Sequence, residues 1–328
     1  MWYYNNLIGH TKKKKIISRR GGYHGASIFT GSLTGIKTYH TNYDLPIEGI
    51  LHTEPAFYFH RADLDQTEDE YSQFCADQLE ELILKENPDT VAGFIAEPVI
   101  GNGGLVPPPH NYWPRIKNVL EKYDVALISD EVVTGFGRLG KMFGVDYFGI
   151  EADMITVAKG ITSAYSPLSG SILSEKISNV IRDATDKYGV WTHGSTYSAH
   201  PISCAAGVAN LNHIDNHQLI KKGKDISEYF NFKLKEKFQD HPQIGDVRGI
   251  GLLSAIELVK DKKNRKFFEK QGQLSQEIVT RMAKNGVLAR AMPAGDTIGF
   301  APAFCISNNE IDTILDATLQ SVNEVVNN

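Results

Sequence analysis

Cysteine is scarce in this sequence. The 328 residues include only three, Cys75, Cys204 and Cys305, which lie far apart and without the short spacing typical of metal ligands. Secreted chains stabilised by disulfides carry denser cysteine patterns, so three isolated thiols favour a reducing compartment. Each is interpreted as a small apolar residue of the interior. The sequence therefore predicts neither a disulfide framework nor a metal site.

Long apolar runs and an excess of one charge are also missing. No apolar run approaches the roughly 18 residues that would indicate a membrane span. The lysines at 12–15 follow the first apolar residues instead of preceding them, unlike those of a signal peptide. The 34 basic and 39 acidic residues leave a net charge of -5. We therefore expect a cytoplasmic protein that contacts neither membrane nor nucleic acid, with small molecules and copies of itself as partners.

Two short apolar runs each end in a charged residue. Residues 125–128 (VALI) are typical of a strand buried on both faces of a parallel sheet, and they lead to Asp130. Residues 154–158 (MITVA) lead to Lys159. Because ligands of open α/β sheets bind beyond the carboxyl ends of the strands, we expect Asp130 and Lys159 to face one crevice.

One cofactor requires this pair of side chains. Pyridoxal phosphate is held by a lysine as a Schiff base, and a carboxylate partner keeps its pyridinium nitrogen protonated. Lys159 and Asp130 fit these two roles. In the alternative interpretation, Asp130 closes a strand and Lys159 is an exposed residue at the start of a loop. The two residues alone leave both interpretations open.

A glycine-rich motif lies between the two runs. Residues 135–140 (GFGRLG) match the G-x-G-x-x-G pattern of dinucleotide-binding proteins. In that motif the third glycine leads into a helix, whereas residues 142–149 are rich in aromatics and interrupted by Gly144 and Gly149. A nicotinamide-dependent dehydrogenase is therefore disfavoured.

Seven motifs follow one another along essentially the whole chain. SDEVVTGFGR at 129–138 and TVAKGIT at 156–162 surround the two charged residues. The others are RRGGYHG at 19–25, IAEPV at 95–99, STYSAHP at 195–201, VRGIGLLSAIELV at 247–259 and ARAMPAGDTIGFAP at 289–302. In type, order and spacing they resemble the class III (omega) aminotransferases, which belong to the pyridoxal phosphate fold-type I superfamily.

The resemblance implies an α/β fold with two domains. It predicts the fold-type I large domain, a mainly parallel sheet with helices on both faces, followed by a smaller α+β C-terminal domain. We place the large domain at 1–212 and the small domain at 213–328. Members of the family are longer at the N-terminus, where they carry a Gly/Ser-rich phosphate loop that this sequence lacks. We therefore expect a chain truncated at the N-terminal part of the large domain.

The resemblance also implies which residues bind pyridoxal phosphate. Lys159 and Asp130 are expected to be the catalytic pair and to contact the cofactor directly. Tyr23 is expected to lie flat against the pyridine ring, with Val132 on the opposite face. His24 is expected near the Asp130 carboxylate.

Four further residues receive roles by the same resemblance. Gly25 completes the glycine-rich motif around the ring, and Glu97 lies at the substrate side of the cofactor. Thr196 is expected to reach the cofactor phosphate of the other subunit, which implies a homodimer. Arg290 is expected to pair with the carboxylate of the substrate, since a guanidinium suits bidentate carboxylate binding.

The function implied is amino transfer from an amine or amino acid to a keto acid such as pyruvate. Lys159 would also carry the proton between the substrate carbon and the cofactor carbon. Two alternatives stay open: an inactive or incomplete fragment of such an enzyme, and a related pyridoxal phosphate-dependent aminomutase or decarboxylase. The sequence does not identify the donor or the acceptor.

Local patterns predict the remaining elements. Residues 26–66 contain many turn formers and are predicted to be a long irregular segment. Residues 67–86 and 175–187 are predicted to be helical, and 247–259 to be one strand interrupted by glycines. The last helix is predicted to begin with a capping box formed by Ser307 and Glu310.

Overall fold

The computed structural model describes residues 1–326 and contains two β-sheets. The larger sheet has six strands in the order β2-β1-β3-β4-β5-β6. They are β1 (Lys15–Arg19), β2 (Ile50–Thr53), β3 (Val91–Ala96), β4 (Ala126–Asp130), β5 (Met154–Val157) and β6 (Gly170–Leu173). Strand β6 pairs antiparallel with β5, and all other neighbours in this sheet pair in parallel. The predicted mainly parallel sheet is confirmed.

Helices lie before, between and after these strands. In chain order they are α1 (Trp2–Leu7), α2 (Ile28–Leu33), α3 (Glu68–Glu86), α4 (Tyr112–Lys122), α5 (Gly144–Phe148), α6 (Glu175–Asp183), α7 (Thr185–Tyr188) and α8 (Pro201–Asn216). Short 3-10 turns occur at Lys37–Tyr39, Tyr58–His60, Pro88–Thr90 and Lys159–Ile161. Every residue of β3 is buried, as expected for a strand in the middle of a sheet that is covered on both faces.

Helix α3 follows directly from its sequence. At its N-terminus, the Glu70 N–H donates to the Thr67 hydroxyl at 3.3 Å and the Thr67 N–H donates to the Glu70 carboxylate at 2.8 Å, a capping box. Tyr71, Cys75 and Leu79 then recur every four residues, and this apolar stripe is buried in a core shared with α4 and with strands β1, β3 and β4. The predicted helix at 67–86 is confirmed, with Thr67 as its cap.

The smaller sheet has four strands in the order β7-β8-β10-β9, and all pairs are antiparallel. The strands are β7 (Ile244–Ile250), β8 (Leu253–Leu258), β9 (Arg290–Ala291) and β10 (Thr297–Phe300). Its helices are α9 (Leu219–Phe238), α10 (Gln273–Lys284) and α11 (Asn308–Val326). Apolar residues from the sheet and these three helices form one core. The predicted α+β character of this part of the chain is confirmed.

The predicted cap of the last helix is present. The Ser307 N–H donates to the Glu310 carboxylate at 2.8 Å, and the Glu310 N–H donates to the Ser307 hydroxyl at 3.3 Å. These two bonds satisfy backbone donors that have no partner within the helix. Helix α11 therefore begins where the sequence predicts.

Three local predictions were wrong. Residues 26–66 contain α2 and β2; the strand escaped detection because it is four residues long and lies at the edge of the sheet. Residues 247–259 form a hairpin, because Gly251 turns the chain with a φ of +55°. A Cβ at Gly251 would lie 2.4 Å from the Arg138 carbonyl oxygen. The helix predicted at 175–187 is interrupted at Ala184.

The predicted domain boundary at residue 212 lies inside α8, and the second sheet begins at Ile244. The division into domains 1–212 and 213–328 stays a prediction. Among the described residues, no helix is both long enough and apolar enough to cross a membrane.

Candidate active site

A cavity of about 750 Å³ is lined by residues from both sheets. Asp130 ends β4, Glu97 directly follows β3, and Lys159 lies two residues beyond β5, so the parallel strands deliver three charged side chains to one edge. Arg290 of β9 lines the cavity from the smaller sheet. Eight of the nine site residues predicted from the sequence line this cavity: Tyr23, His24, Gly25, Glu97, Asp130, Val132, Lys159 and Arg290.

The Asp130 carboxylate is held by two neighbours. One oxygen accepts a hydrogen bond from the Val132 N–H at 3.1 Å, and the other lies 2.8 Å from Nδ1 of His24. With Nδ1 protonated, the buried imidazole donates to the carboxylate. The Nε2 atom of His24 is buried and has no hydrogen-bond partner among the described residues. These contacts fix the direction in which Asp130 presents its charge.

Glu97 is a second buried carboxylate of the cavity. It accepts hydrogen bonds from the Gly101 N–H at 3.0 Å and the Tyr23 N–H at 3.4 Å. Burial raises its pKa and the Asp130 charge acts in the same direction, whereas His24 and Arg19 lower it, leaving the pKa of Glu97 above its ordinary value. Glu97 therefore fastens the turn at Gly101 to the segment that carries Tyr23.

Lys159 combines an unusual backbone with a perturbed amine. Its φ of +42° lies in the left-handed region, which is costly for a residue with a side chain and concentrates at functional sites. Although the side chain reaches open solvent in the cavity, partial burial lowers its pKa below the ordinary value. Asp130 and Glu97 oppose this shift, and Arg290 adds to it. The amine is therefore neutral at a lower pH than an ordinary lysine, and a neutral amine is the nucleophilic form.

Arg290 contacts a residue that the sequence interpretation missed. Its Nη2 donates to Oδ1 of Asn102 at 2.6 Å. Asn102 lies five residues after Glu97 and lines the same cavity. The only signal for Asn102 in the sequence is its place inside the glycine-rich stretch 101–104. Tyr39 was also missed; its ring meets Tyr23 edge-on at 5.2 Å.

Thr196 is the exception among the predicted site residues. It lies in an exposed turn, closed by a hydrogen bond from the Ser198 N–H to the Ser195 carbonyl at 3.0 Å, and it does not line the cavity of its own chain. Among the described residues, no serine or threonine lines this cavity. The expected contact of Thr196 with a partner's cofactor stays a prediction.

Glu131, adjacent to Asp130, serves the fold instead of the cavity. It is fully buried, and its two carboxylate oxygens accept the N–H groups of Gly144 and Val145, each at 2.8 Å. Burial raises its pKa, although these bonds and one from Thr134 act in the opposite direction.

The glycine-rich motif at residues 135–140 forms turns, and α5 begins only at Gly144. The third glycine therefore leads into no helix, which rules out the dinucleotide-binding interpretation.

Residues 1–322 match the family model described as Aminotransferase class-III. The chain belongs to this family. The resemblance inferred from the seven motifs is therefore confirmed over nearly the full length of the chain.

Two relatives illustrate the class-III aminotransferases. A diaminobutyrate–2-oxoglutarate transaminase of Halomonas elongata is 48% identical over 325 residues, which is 98% of this chain and 69% of that protein. Gamma aminobutyrate transaminase 1 of Solanum lycopersicum is 41% identical over 315 residues, which is 96% of this chain and 61% of that protein. This chain therefore spans between 61% and 69% of the length of these two relatives.

Solved transaminase structures confirm the fold. The omega transaminase of Pseudomonas jessenii in complex with PMP superposes with a TM-score of 0.96 at 35% identity, covering 99% of this chain and 71% of that chain. A transaminase with L-ala gives a TM-score of 0.96 at 39% identity, covering 99% and 76% of the two chains. Class-III aminotransferases use pyridoxal phosphate, and the cavity fits this cofactor because one lysine and two carboxylates, Lys159, Asp130 and Glu97, line it together.

Proposed function

We propose that Lys159 attaches pyridoxal phosphate and carries the proton during the amino transfer that this family performs. The observation that carries this proposal is the position of Lys159 in one cavity with Asp130, together with the lowered pKa of its amine. A neutral Lys159 amine would hold the cofactor through its aldehyde group, and the free amine would accept a proton from the substrate carbon. Lys159 is thus assigned both roles.

Asp130 is proposed to hold the pyridine nitrogen in its protonated form. When bound, pyridoxal phosphate supplies an electron sink for the pair of electrons left on the substrate carbon. The Asp130 charge supports that role, and His24 holds the carboxylate in place at 2.8 Å. Tyr23 and Val132 line the cavity and would contact the two faces of the ring. Glu97 and Gly25 would border the substrate side and the ring.

Arg290 is proposed to bind the carboxylate of the keto acid. It brings a permanent positive charge into the cavity, and its planar guanidinium can donate two parallel hydrogen bonds to a carboxylate. The named substrates of the relatives support this role, because diaminobutyrate, 2-oxoglutarate and gamma aminobutyrate all carry carboxylates. We propose an amine or amino acid as donor and a keto acid, such as pyruvate or 2-oxoglutarate, as acceptor.

A homodimer is proposed as the working assembly. Several large apolar side chains between residues 165 and 208 are exposed in the single chain: Tyr165, Tyr188, Val190, Trp191, Tyr197, Ile202 and Val208. Exposed apolar surface of this kind is typical of an interface between protein chains. Thr196 lies within this stretch and would reach the cofactor phosphate of the partner. The cytoplasm is the proposed location, supported by three cysteines that are all free.

Reductive trapping tests the assignment of Lys159. The protein is mixed with pyridoxal phosphate, reduced with borohydride, digested and mapped by mass spectrometry. We expect the stable label on Lys159, and its loss in Lys159→Arg. Lys141→Arg is the matched control, because Lys141 is exposed outside the cavity. A label on another lysine, with Lys159 unmodified, would overturn the proposal.

A further inference from the structure

A tight turn forms one wall of the cavity beside Arg290. Residues 101–105 are closed by an antiparallel bridge between Ile100 and Val106, whose two backbone hydrogen bonds measure 3.0 and 2.8 Å. Inside the turn, the Leu105 N–H donates to the Gly101 carbonyl at 2.9 Å. The Asn102 side chain projects from this turn to Arg290. The position of the turn therefore sets the position of the Asn102 oxygen.

Arg248 of β7 holds the far end of this turn. Its Nε and Nη2 atoms both donate to the Gly104 carbonyl oxygen, at 3.0 and 2.8 Å. Its Nη1 donates to Asp246 at 2.6 Å and to Glu257 at 2.8 Å. The guanidinium also lies 4.8 Å from the centre of the Phe57 ring. Arg248 is buried, so the smaller sheet presents a fixed donor pair to the turn.

The turn has little freedom to adopt another position. A Cβ at Gly103 would lie 2.1 Å from the Gly21 carbonyl oxygen, so the turn packs directly on the segment that leads to Tyr23. Gly104 has a φ of +126°, and a Cβ there would lie 3.1 Å from Nη2 of Arg248. The turn is therefore clamped between the backbone near the cofactor residues and one arginine of the smaller sheet.

We propose that Arg248 is a positioning residue for acceptor recognition. It acts through the Gly104 carbonyl and the turn, so that Asn102 presents its oxygen to Arg290 and holds the guanidinium towards the cavity. Asn102 is neutral, so Arg290 keeps its full charge for the acceptor carboxylate. This inference rests on the proposed role of Arg290. It adds that a residue outside the cavity lining determines how well a keto acid binds.

Two variants test separately the contact of Arg248 with Gly104 and the contact of Asn102 with Arg290. Arg248→Lys keeps a positive charge beside Asp246 and Glu257, but a single ammonium cannot reproduce the two-pronged contact with Gly104. Asn102→Ala removes the acceptor for Arg290 and leaves the turn's backbone bonds intact. Arg281→Lys, on the outer face of α10 and outside the cavity lining, is the matched control. Circular dichroism checks that each variant is folded.

The dissociation constant of 2-oxoglutarate, measured by calorimetry on the full chain, is the main readout. We expect Arg248→Lys and Asn102→Ala each to raise it about tenfold, which corresponds to about 1.4 kcal/mol, and Arg281→Lys to leave it unchanged. Combining the two substitutions should add little, because both act on one contact. In steady-state assays the KM for 2-oxoglutarate should rise while kcat stays within about twofold, a split that general loss of structure would not produce.

Arg290→Ala distinguishes failure of this inference from failure of the proposed function. A raised dissociation constant in Arg290→Ala with an unchanged value in Arg248→Lys would overturn the inference alone. An unchanged value in Arg290→Ala would overturn both. If Arg248→Lys does not fold, Asp246→Asn replaces it as a milder change that removes one anchor of Arg248. We expect a smaller rise in the dissociation constant from that variant, and no rise would overturn the inference.

Discussion

Two buried glutamates, one associated with each sheet, have pKa values that are shifted in opposite directions. Glu257 of β8 accepts from His60 at 2.5 Å and from Arg248 at 2.8 Å. Burial raises its pKa, but these partners outweigh burial and leave the pKa below its ordinary value. Glu97 is buried to a similar depth, and within residues 1–326 its carboxylate accepts only from the backbone N–H groups of Gly101 and Tyr23. Its pKa is raised.

The difference teaches that charged partners within hydrogen-bond distance, more than depth, set the charge of a buried carboxylate. In the smaller sheet, Glu257 lies in a complete network with Arg248 and His60, which suits a structural role. In the cavity, Glu97 and Lys159 have pKa values shifted towards their neutral forms. Incompletely paired charges are the ones available to a ligand, and they cluster at functional sites.

Breaking the complete network should have the largest effect. Glu257→Gln leaves Arg248 and His60 without their shared carboxylate, and we expect the free energy of unfolding at pH 7 to fall by about 3–5 kcal/mol. Glu236→Gln, which breaks an exposed pair with Lys233, should have a far smaller effect because solvent screens that pair. Urea denaturation measures both. Equal losses would contradict the contrast between buried and exposed pairs.

The same network predicts a pH dependence. Because the pKa of Glu257 is lowered in the folded chain, its contribution is fully present above the unfolded value of 4.5 and is lost as the pH falls through the lower folded value. The difference in stability between the wild type and Glu257→Gln should therefore shrink in acid. A difference that stayed constant from pH 7 to strongly acidic conditions would contradict the assignment.

Removing charge from the cavity should affect turnover instead of stability. Asp130→Asn is nearly isosteric but neutral, so the fold should be kept while stabilisation of the protonated ring nitrogen is lost. We expect kcat to fall about 100- to 1000-fold, the range found when one electrostatic stabiliser of a transition state is removed. Asp183→Asn, at the exposed end of α6, is the control. Turnover near that of the wild type would count against the role of Asp130.

Removing Arg290, the proposed substrate-binding cation, should have a smaller and more selective effect. Arg290→Ala should weaken keto-acid acceptors by roughly 1.5–3 kcal/mol, the value of a hydrogen bond to a charged group. Amine donors without a carboxylate should be affected much less. Comparing the KM of both substrate types with those of Arg281→Ala measures this selectivity. Equal losses for acceptors and amines would indicate a purely structural arginine.

The smallest expected effect concerns two lysines. Partial burial lowers the pKa of Lys159, whereas a hydrogen bond to Glu236 raises the pKa of Lys233. An amine-reactive label should therefore modify Lys159 at a lower pH than Lys233 in the cofactor-free protein. Labelling across a pH series followed by mass spectrometry gives, for each lysine, the pH at which half of the amine is modified. The reverse order would show that the two amines are not distinguished as described.

Much of the larger sheet and its charged edge could be predicted from the sequence. The apolar runs before Asp130 and Lys159 are local signals, and the rule that ligands bind at carboxyl ends of strands places both in one crevice. The structure places both in one cavity. Strand β2 was missed because four residues at a sheet edge carry too short a pattern, and the hairpin β7–β8 was missed because its turn depends on Gly251.

The contacts around Arg290, where the acceptor is proposed to bind, could not be predicted in the same way. Arg248 meets Gly104 across 144 residues of sequence, and Arg290 meets Asn102 across 188. No local periodicity in the sequence predicts contacts between residues so far apart. These contacts form only when the smaller sheet packs against the larger one. Family resemblance named Arg290 but not its neighbour Asn102.

The crowding of the turn at 101–104 also limits how this enzyme can evolve. Side chains at 103 and 104 would meet Gly21 and Arg248, and a Cβ at 101 would lie 3.1 Å from Val133. Position 102 is the exception, since its side chain already occupies the cavity. If this wall binds the acceptor as proposed, substitutions at position 102 can alter the cavity with little disturbance of the turn, whereas any side chain at 103 would collide with the backbone at Gly21.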